Sequence, residues 1–203
     1  MTIRKGEAWG EAGTLPPNGL IVHSDAEARA AIEPAWRAGE GLPVLGLLGG
    51  DLCRTLGGTG DEARLTSGEA MMFPVDLGVA ELDDTRHCFV AHAVARRALW
   101  RGRAVVAMNA QWLGSLDLGP RSHPGDGLLD LTDGTLPLGQ RLEARRRART
   151  GTHLPHPALA TSRTGSTTLA FDRPVDVWLD GTRVGRTRHL ALTVVPDALR
   201  VVV

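Results

Sequence analysis

At 203 residues, the chain has the length of one domain or of two small ones sharing a boundary. Its 23 basic and 23 acidic side chains cancel, so no global field favours nucleic acid or an anionic membrane, and nucleic acid is excluded as an expected partner. Hydrophobic residues make up 42%, enough to bury a core, and Lys5 is the only lysine, so any phosphate would be held by arginine or by backbone N–H groups.

Cys53 and Cys88 are the only cysteines, and neither belongs to a CxxC pair, so a thiolate zinc site is not expected. Two thiols in a chain of this size fit a reducing, cytoplasmic location. Residues 1–10 hold no apolar run or cleavage signature, so no signal peptide is expected. The longest apolar stretches, such as 104–107, are far too short to span a bilayer, so no transmembrane segment is expected either.

In chain order, residues 1–18 are polar and rich in Gly and Pro and read as an arm or loop. Residues 19–23 form a short apolar strand. Ser24 and Glu27 make a capping box that opens an Ala-rich helix. Pro34 should bend or end this helix, and Gly39 should finish it. Residues 43–48 read as a buried strand. Gly49-Gly50-Asp51 then opens a short helix through Leu56, which completes a unit of the kind that builds parallel sheet. From about Met71 short strands recur: 73–80 and 86–91 around an Asp83-Asp84-Thr85 hairpin, then 104–109, 128–131, 167–171, 175–179, 190–195 and 199–203. Asp180-Gly181 is a hairpin turn, and one helix is expected near 138–147. The whole predicts an α+β chain: a truncated α/β segment at 1–70 packed on a β-sandwich at 71–203.

Three segments resemble the diacylglycerol kinase and bacterial lipid kinase family, part of the NAD-kinase-like superfamily. The run from Gly49 to Gly57 is similar to the end of that family's GTGND-[LF]-AR-x-LG motif. Asn109, Gly114 and the run from Pro120 to Asp130 are similar to its "N-x-x-x-x-G … aPrA-x-P-x-DG-x-LD" stretch. Val177-Trp178-Leu179-Asp180-Gly181 and the run from Pro196 to Val201 are similar to its "v-x-x-DGE" turn and its closing "v-x-P-x-AL-x-V" strand. The resemblance covers roughly residues 43–203. It implies a nucleotide domain followed by a β-sandwich, and ATP-dependent phosphoryl transfer to a lipid hydroxyl.

The departures are as informative. The family's GGDGT phosphate loop has His23-Ser24-Asp25-Ala26-Glu27 as its counterpart, and only the Asp is retained. The polar Thr and Asn of GTGND are replaced by Leu48 and Gly50. The acid of DGE is replaced by Thr182, which is no general base without an activating neighbour. Residues 1–18 leave no room for the family's first strand and helix. The expectation is therefore a degenerate, non-catalytic relative that binds a small ligand, a lipid or a protein partner in the cleft between the two parts. The alternative is a working lipid kinase that uses ATP. A third possibility is a homodimer or partner chain that completes the nucleotide lobe. By resemblance, the ligand-binding residues are Asp25, Gly49, Gly50, Asp51, Arg54, Asn109 and Asp180. Arg54 is expected to pair with Asp51 or Asp180.

Other candidates carry two readings each. Asp51 is either a phosphate or metal ligand or an N-cap carboxylate. Asp126 is either a Mg²⁺ ligand in its turn, as the resemblance implies, or an Asp-Gly turn residue bonding its own backbone. His153 and His156 have metal-ligand spacing, but Pro155 and Pro157 argue against the helix that would align them. Arg141, Arg145, Arg146, Arg147 and Arg149 crowd one helix, as a seat for anionic lipid or as a solvated face that Glu143 dilutes. Trp100 and Trp112 read as packing residues.

Overall fold

The computed structural model describes residues 9–203. The arm expected at 1–18 therefore falls partly outside the described residues. Within it lies a strand that composition did not suggest, β1 (Glu11–Ala12), paired antiparallel with β4 (Met71–Leu82). Next come β2 (Leu20–Val22), α1 (Asp25–Ala38), β3 (Leu45–Leu47) and α2 (Gly50–Thr55). The strands β2 and β3 pair in parallel with α1 as their crossover, which is the unit the apolar spacing predicts.

The capping box forms: Glu27 N–H donates to Ser24 Oγ at 3.2 Å, and the Glu27 carboxylate accepts from His23 N–H at 2.8 Å. Pro34 does not end α1. It sits on the exposed face, and the helix runs on to a left-handed C-cap at Gly39.

The rest is mostly strand: β5 (Thr85–Phe89), β6 (His92–Arg96), β7 (Ala104–Met108), β8 (Trp112–Leu113), β9 (Leu116–Asp117), β10 (Leu129–Gly134), β11 (Leu159–Thr164), β12 (Ser166–Leu179) and β13 (Thr182–Val202), with α3 (Leu138–Ala148) between β10 and β11. The expected pair 167–171 and 175–179 is one strand, β12, with a register shift between Ala170 and Val175. The pair 190–195 and 199–203 is likewise carried by β13, shifted between Val195 and Leu199. Bulges bend a strand without ending it, so turn-like residues there mimic a break.

Eleven strands share one hydrogen-bonded sheet, with β1-β4-β13-β12-β6-β7-β10-β11 as its main path. It folds over a shared apolar layer in the manner of a sandwich. Ala80, Phe89, Ala107, Leu129, Val177 and Leu190, from six different strands, share one buried apolar cluster. A second cluster joins the α/β segment to the sheet: Val22, Ile32, Leu45 and Leu52 pack with Val75, Leu77, Leu199 and Val201. The end of β13 also pairs in parallel with β3, Val201 opposite Leu45, so one sheet runs through both parts. No helix among the described residues is long and apolar enough to cross a membrane.

Candidate functional site

Asp25 and Asp51 each follow the C-terminal end of a parallel strand and open the next helix. In α/β proteins this is the edge where ligands bind. Here the two carboxylates are turned inward. Asp25 accepts from Asp51 N–H at 2.6 Å and from Leu52 N–H at 3.1 Å, which satisfies the first free donors of α2. Gly49 and Gly50 allow that approach. A Cβ on Gly50, whose φ is +97°, would stand 2.5 Å from the Asp25 carboxylate, and one on Gly49 would stand 2.4 Å from the His23 carbonyl. The bare backbone at this turn thus receives a neighbouring carboxylate of the same chain.

Asp51 accepts in turn from Gly114 N–H, at 2.8 and 3.0 Å, and pairs with His92 Nε2 at 3.1 Å. The backbone N–H of His92 donates to Asp180, which also accepts from Val90 and Ala91, all at 2.9–3.1 Å. The Asp180-Gly181 hairpin tip is pinned in this way onto the turn between β5 and β6. Asp180 takes a left-handed backbone, φ 49°, which Asp tolerates.

Burial sets the electrostatics. It pushes Asp25 up to about 6, with the Asp180 charge adding to the push and the α2 N–H groups opposing it. Asp180 is raised by burial as well, against the His92 charge and three N–H bonds. At Asp51 burial works upward, but the hydrogen bond from His92, the Gly114 N–H and the charges of His92 and Arg54 together hold the carboxyl below its ordinary range. Burial works against a charged His92, and its bond to Asp51 and the surrounding carboxylates outweigh that and raise its pKa.

The other expected residues fall as follows. Arg54 makes no carboxylate pair among the described residues. Its guanidinium lies 3.4 Å over the Trp112 ring and donates to the Gly114 carbonyl at 3.1 Å. The planar group finds an aromatic face before it finds an acid. Asn109 is buried and donates to the carbonyls of Asp76 and Val90, so it ties strands together. Thr182, in the position of the missing acid, is exposed at the start of β13.

Asp126 accepts from Leu128 N–H and is ion-paired with Arg163, which also reaches Asp130 at 3.3 Å. A guanidinium thus occupies the carboxylate that the resemblance assigns to Mg²⁺, and the donor set fits an ion-paired turn better than a metal seat. His153 is buried, and His156 accepts from Ala158 N–H at 3.1 Å; neither belongs to the cluster of three metal-ligating side chains found among the described residues. Both cysteines are free and buried, and burial pushes Cys88 up to about 12.

Two residues of this region were not singled out by sequence. His92 stands alone at the start of an apolar strand, with no neighbour in sequence to mark it. Asp76 lies inside the long β4 and holds Gly127 N–H at 2.6 Å and Asp197 N–H at 2.9 Å, which binds the Pro120–Asp130 stretch to the β13 bulge. A carboxylate in the middle of a buried strand was the signal available there.

The comparisons agree with this architecture. Residues 74–203 match the family described as the YegS C-terminal NAD kinase beta sandwich-like domain. No curated protein matches the chain. Among solved structures, one provisionally named a diacylglycerol kinase, from Bacillus anthracis str. Sterne, aligns with a TM-score of 0.66 at 14% identity, over 91% of this chain and 77% of its own. Another from the same organism, likewise provisionally named, gives 0.61 at 13% identity, over 79% and 69%. At such identities the likeness is one of fold.

Proposed function

Because the chain belongs to the family of the YegS C-terminal NAD kinase beta sandwich-like domain, we propose that it is a diacylglycerol-kinase-like protein that transfers no phosphate and works by binding, with a lipid as its ligand class. In this reading residues 1–70 supply one wall of the interlobe region and 71–203 the other. One observation carries it. All six carboxylate oxygens of Asp25, Asp51 and Asp180 accept hydrogen bonds from this chain. Phosphoryl transfer needs open donors and a cation to meet charge as it develops. The start of α1 is closed in the same way, because Ser24 and the Glu27 carboxylate take the N–H groups where a phosphate would sit.

A thermal-shift screen with ATP, Mg²⁺ and anionic lipid tests this, since a specific ligand stabilises by mass action. Stabilisation by lipid alone supports the proposal, and stabilisation by ATP with Mg²⁺ overturns it.

The second reading, a working ATP-dependent lipid kinase, is favoured by one feature. Single ligand atoms of Asp25, Asp51 and His92 lie within 4.8 Å of one another, a spacing that can hold a metal ion. A metal there would supply Lewis-acid stabilisation of a phosphoryl group. Two carboxylates with an imidazole suit Mn²⁺ or Zn²⁺ better than Mg²⁺.

A further inference from the structure

We propose that α3 and the neighbouring loop at 97–102 form a docking surface for an anionic lipid bilayer. Three of the large apolar side chains are far more exposed than any others described: Leu142 at 79%, Leu138 at 77% and Leu99 at 71%. Leu138 and Leu142 are one turn apart, so they share a face of α3. Leu99 belongs to the loop, beside the part-exposed Trp100. Arg141 joins the two elements: its guanidinium donates to the Leu99 carbonyl at 2.8 Å and to the Leu136 carbonyl at 2.9 Å. Leu99 and Trp100 both hold left-handed backbone, φ 54° and 58°, a strained conformation for large L-residues.

Charge identifies the occupant. Arg145, Arg146 and Arg149 continue the leucine face along α3, and all three are exposed. Against Arg141, Arg145, Arg146, Arg147 and Arg149 the helix sets one acid, Glu143, which Arg147 engages at 2.8 Å. On the loop side, Arg97, Arg103 and Arg173 line a concavity together with Thr135, Phe171 and Asp172. Arg103 is paired with Asp133, while Arg97 and Arg173 have no ion pair among the described residues. In a chain of zero net charge this is a strong local excess. Leucines and a tryptophan set among a local excess of arginines match the boundary of an anionic bilayer, where apolar side chains enter and cations meet phosphates. The leucines enter the acyl boundary and the guanidinium groups hold the phosphates.

Sedimentation of the full chain with phosphatidylglycerol–phosphatidylcholine vesicles tests this. Binding should be strong to the mixed vesicles, weak to pure phosphatidylcholine, and reduced by about 0.5 M NaCl. Leu138→Ser with Leu142→Ser should weaken it about tenfold, and so should Arg145→Glu with Arg146→Glu. All four side chains are exposed, so circular dichroism should show both variants folded. Arg86→Glu, at an exposed arginine of β5 outside this surface, should leave vesicle binding unchanged, which ties binding to α3 and the 97–102 loop. The proposal fails if both surface variants sediment like the parent. It also fails if soluble poly-glutamate binds as tightly and the leucine variant binds it equally well, because the surface would then be a site for an acidic polypeptide.

Discussion

His92 Nε2 lies 3.1 Å from Asp51 Oδ2, while the backbone N–H of the same His92 donates to Asp180, also at 3.1 Å. One residue therefore joins the α2 end of the α/β segment to the hairpin tip of the sandwich. The pair is largely withdrawn from water, so removing one partner strands the other. His92→Ala should lower stability by about 3 kcal/mol in urea denaturation. A loss below about 1 kcal/mol would show that the His92–Asp51 pair adds little to the apolar packing and the β3–β13 pairing that already join the two parts.

The same pair sets a pH window. His92 has its pKa raised on folding, so its contribution is complete below its unfolded value and fades as pH rises through the folded one. Asp51 is lowered, so its contribution is complete above its unfolded value and fades as pH falls through the folded one. The ion pair is therefore fully present between those limits, in mildly acidic solution. The stability gap between the parent and His92→Gln should be wider near pH 5.5 than near pH 9. An equal gap at both would contradict a charged His92.

Asp25 carries the opposite consequence for a carboxylate. Its pKa rises to about 6 on folding, so the native state holds the proton more tightly than the unfolded chain. Stability from this group is complete below the unfolded value and is lost as pH rises through about 6. Asp25→Asn should therefore be tolerated better at pH 8 than at pH 4, by up to about 3 kcal/mol. Thermal melts across that range read it, and a pH-independent difference would contradict it.

Arg54 should behave as a stacking residue. Arg54→Ala should cost about 1 kcal/mol, and Arg54→Lys should recover less than half of it, because an ammonium lacks the flat guanidinium that covers Trp112. Full rescue by Lys would point to a purely electrostatic role beside Asp51.

Much of this architecture is legible in the residues themselves. The capping box, Gly39, the alternating β-branched runs and Asp180-Gly181 each act within a few neighbours, so their signals survive in one sequence. Asp172-Arg173-Pro174 and Pro196-Asp197 have turn composition, so in sequence they break the long strands β12 and β13 in two, but a bulge uses the same residue types. The convergence of Asp25, Asp51 and Asp180 came only through resemblance, since sequence separations of 26 and more carry no local mark. His92, Asp76 and the Trp112 stack under Arg54 depend on tertiary contacts that no short pattern encodes.

Asp126 separates turn from metal. With its carboxylate shared between Arg163 and the Leu128 N–H, Asp126→Ala should lower the melting temperature, and EDTA should leave the parent unchanged. If EDTA destabilises the parent and Asp126→Ala removes that response, a cation sits at this turn.

The most direct test of a closed interlobe site is a calorimetric titration of the full chain with ATP, with and without Mg²⁺. Asp25, Asp51 and Asp180 are satisfied from within, and Glu27 places a carboxylate at the start of α1. No saturable heat is expected at millimolar ATP. Saturable binding that strengthens with Mg²⁺ or Mn²⁺ and is abolished by Asp51→Asn would contradict the non-catalytic reading and establish a nucleotide site.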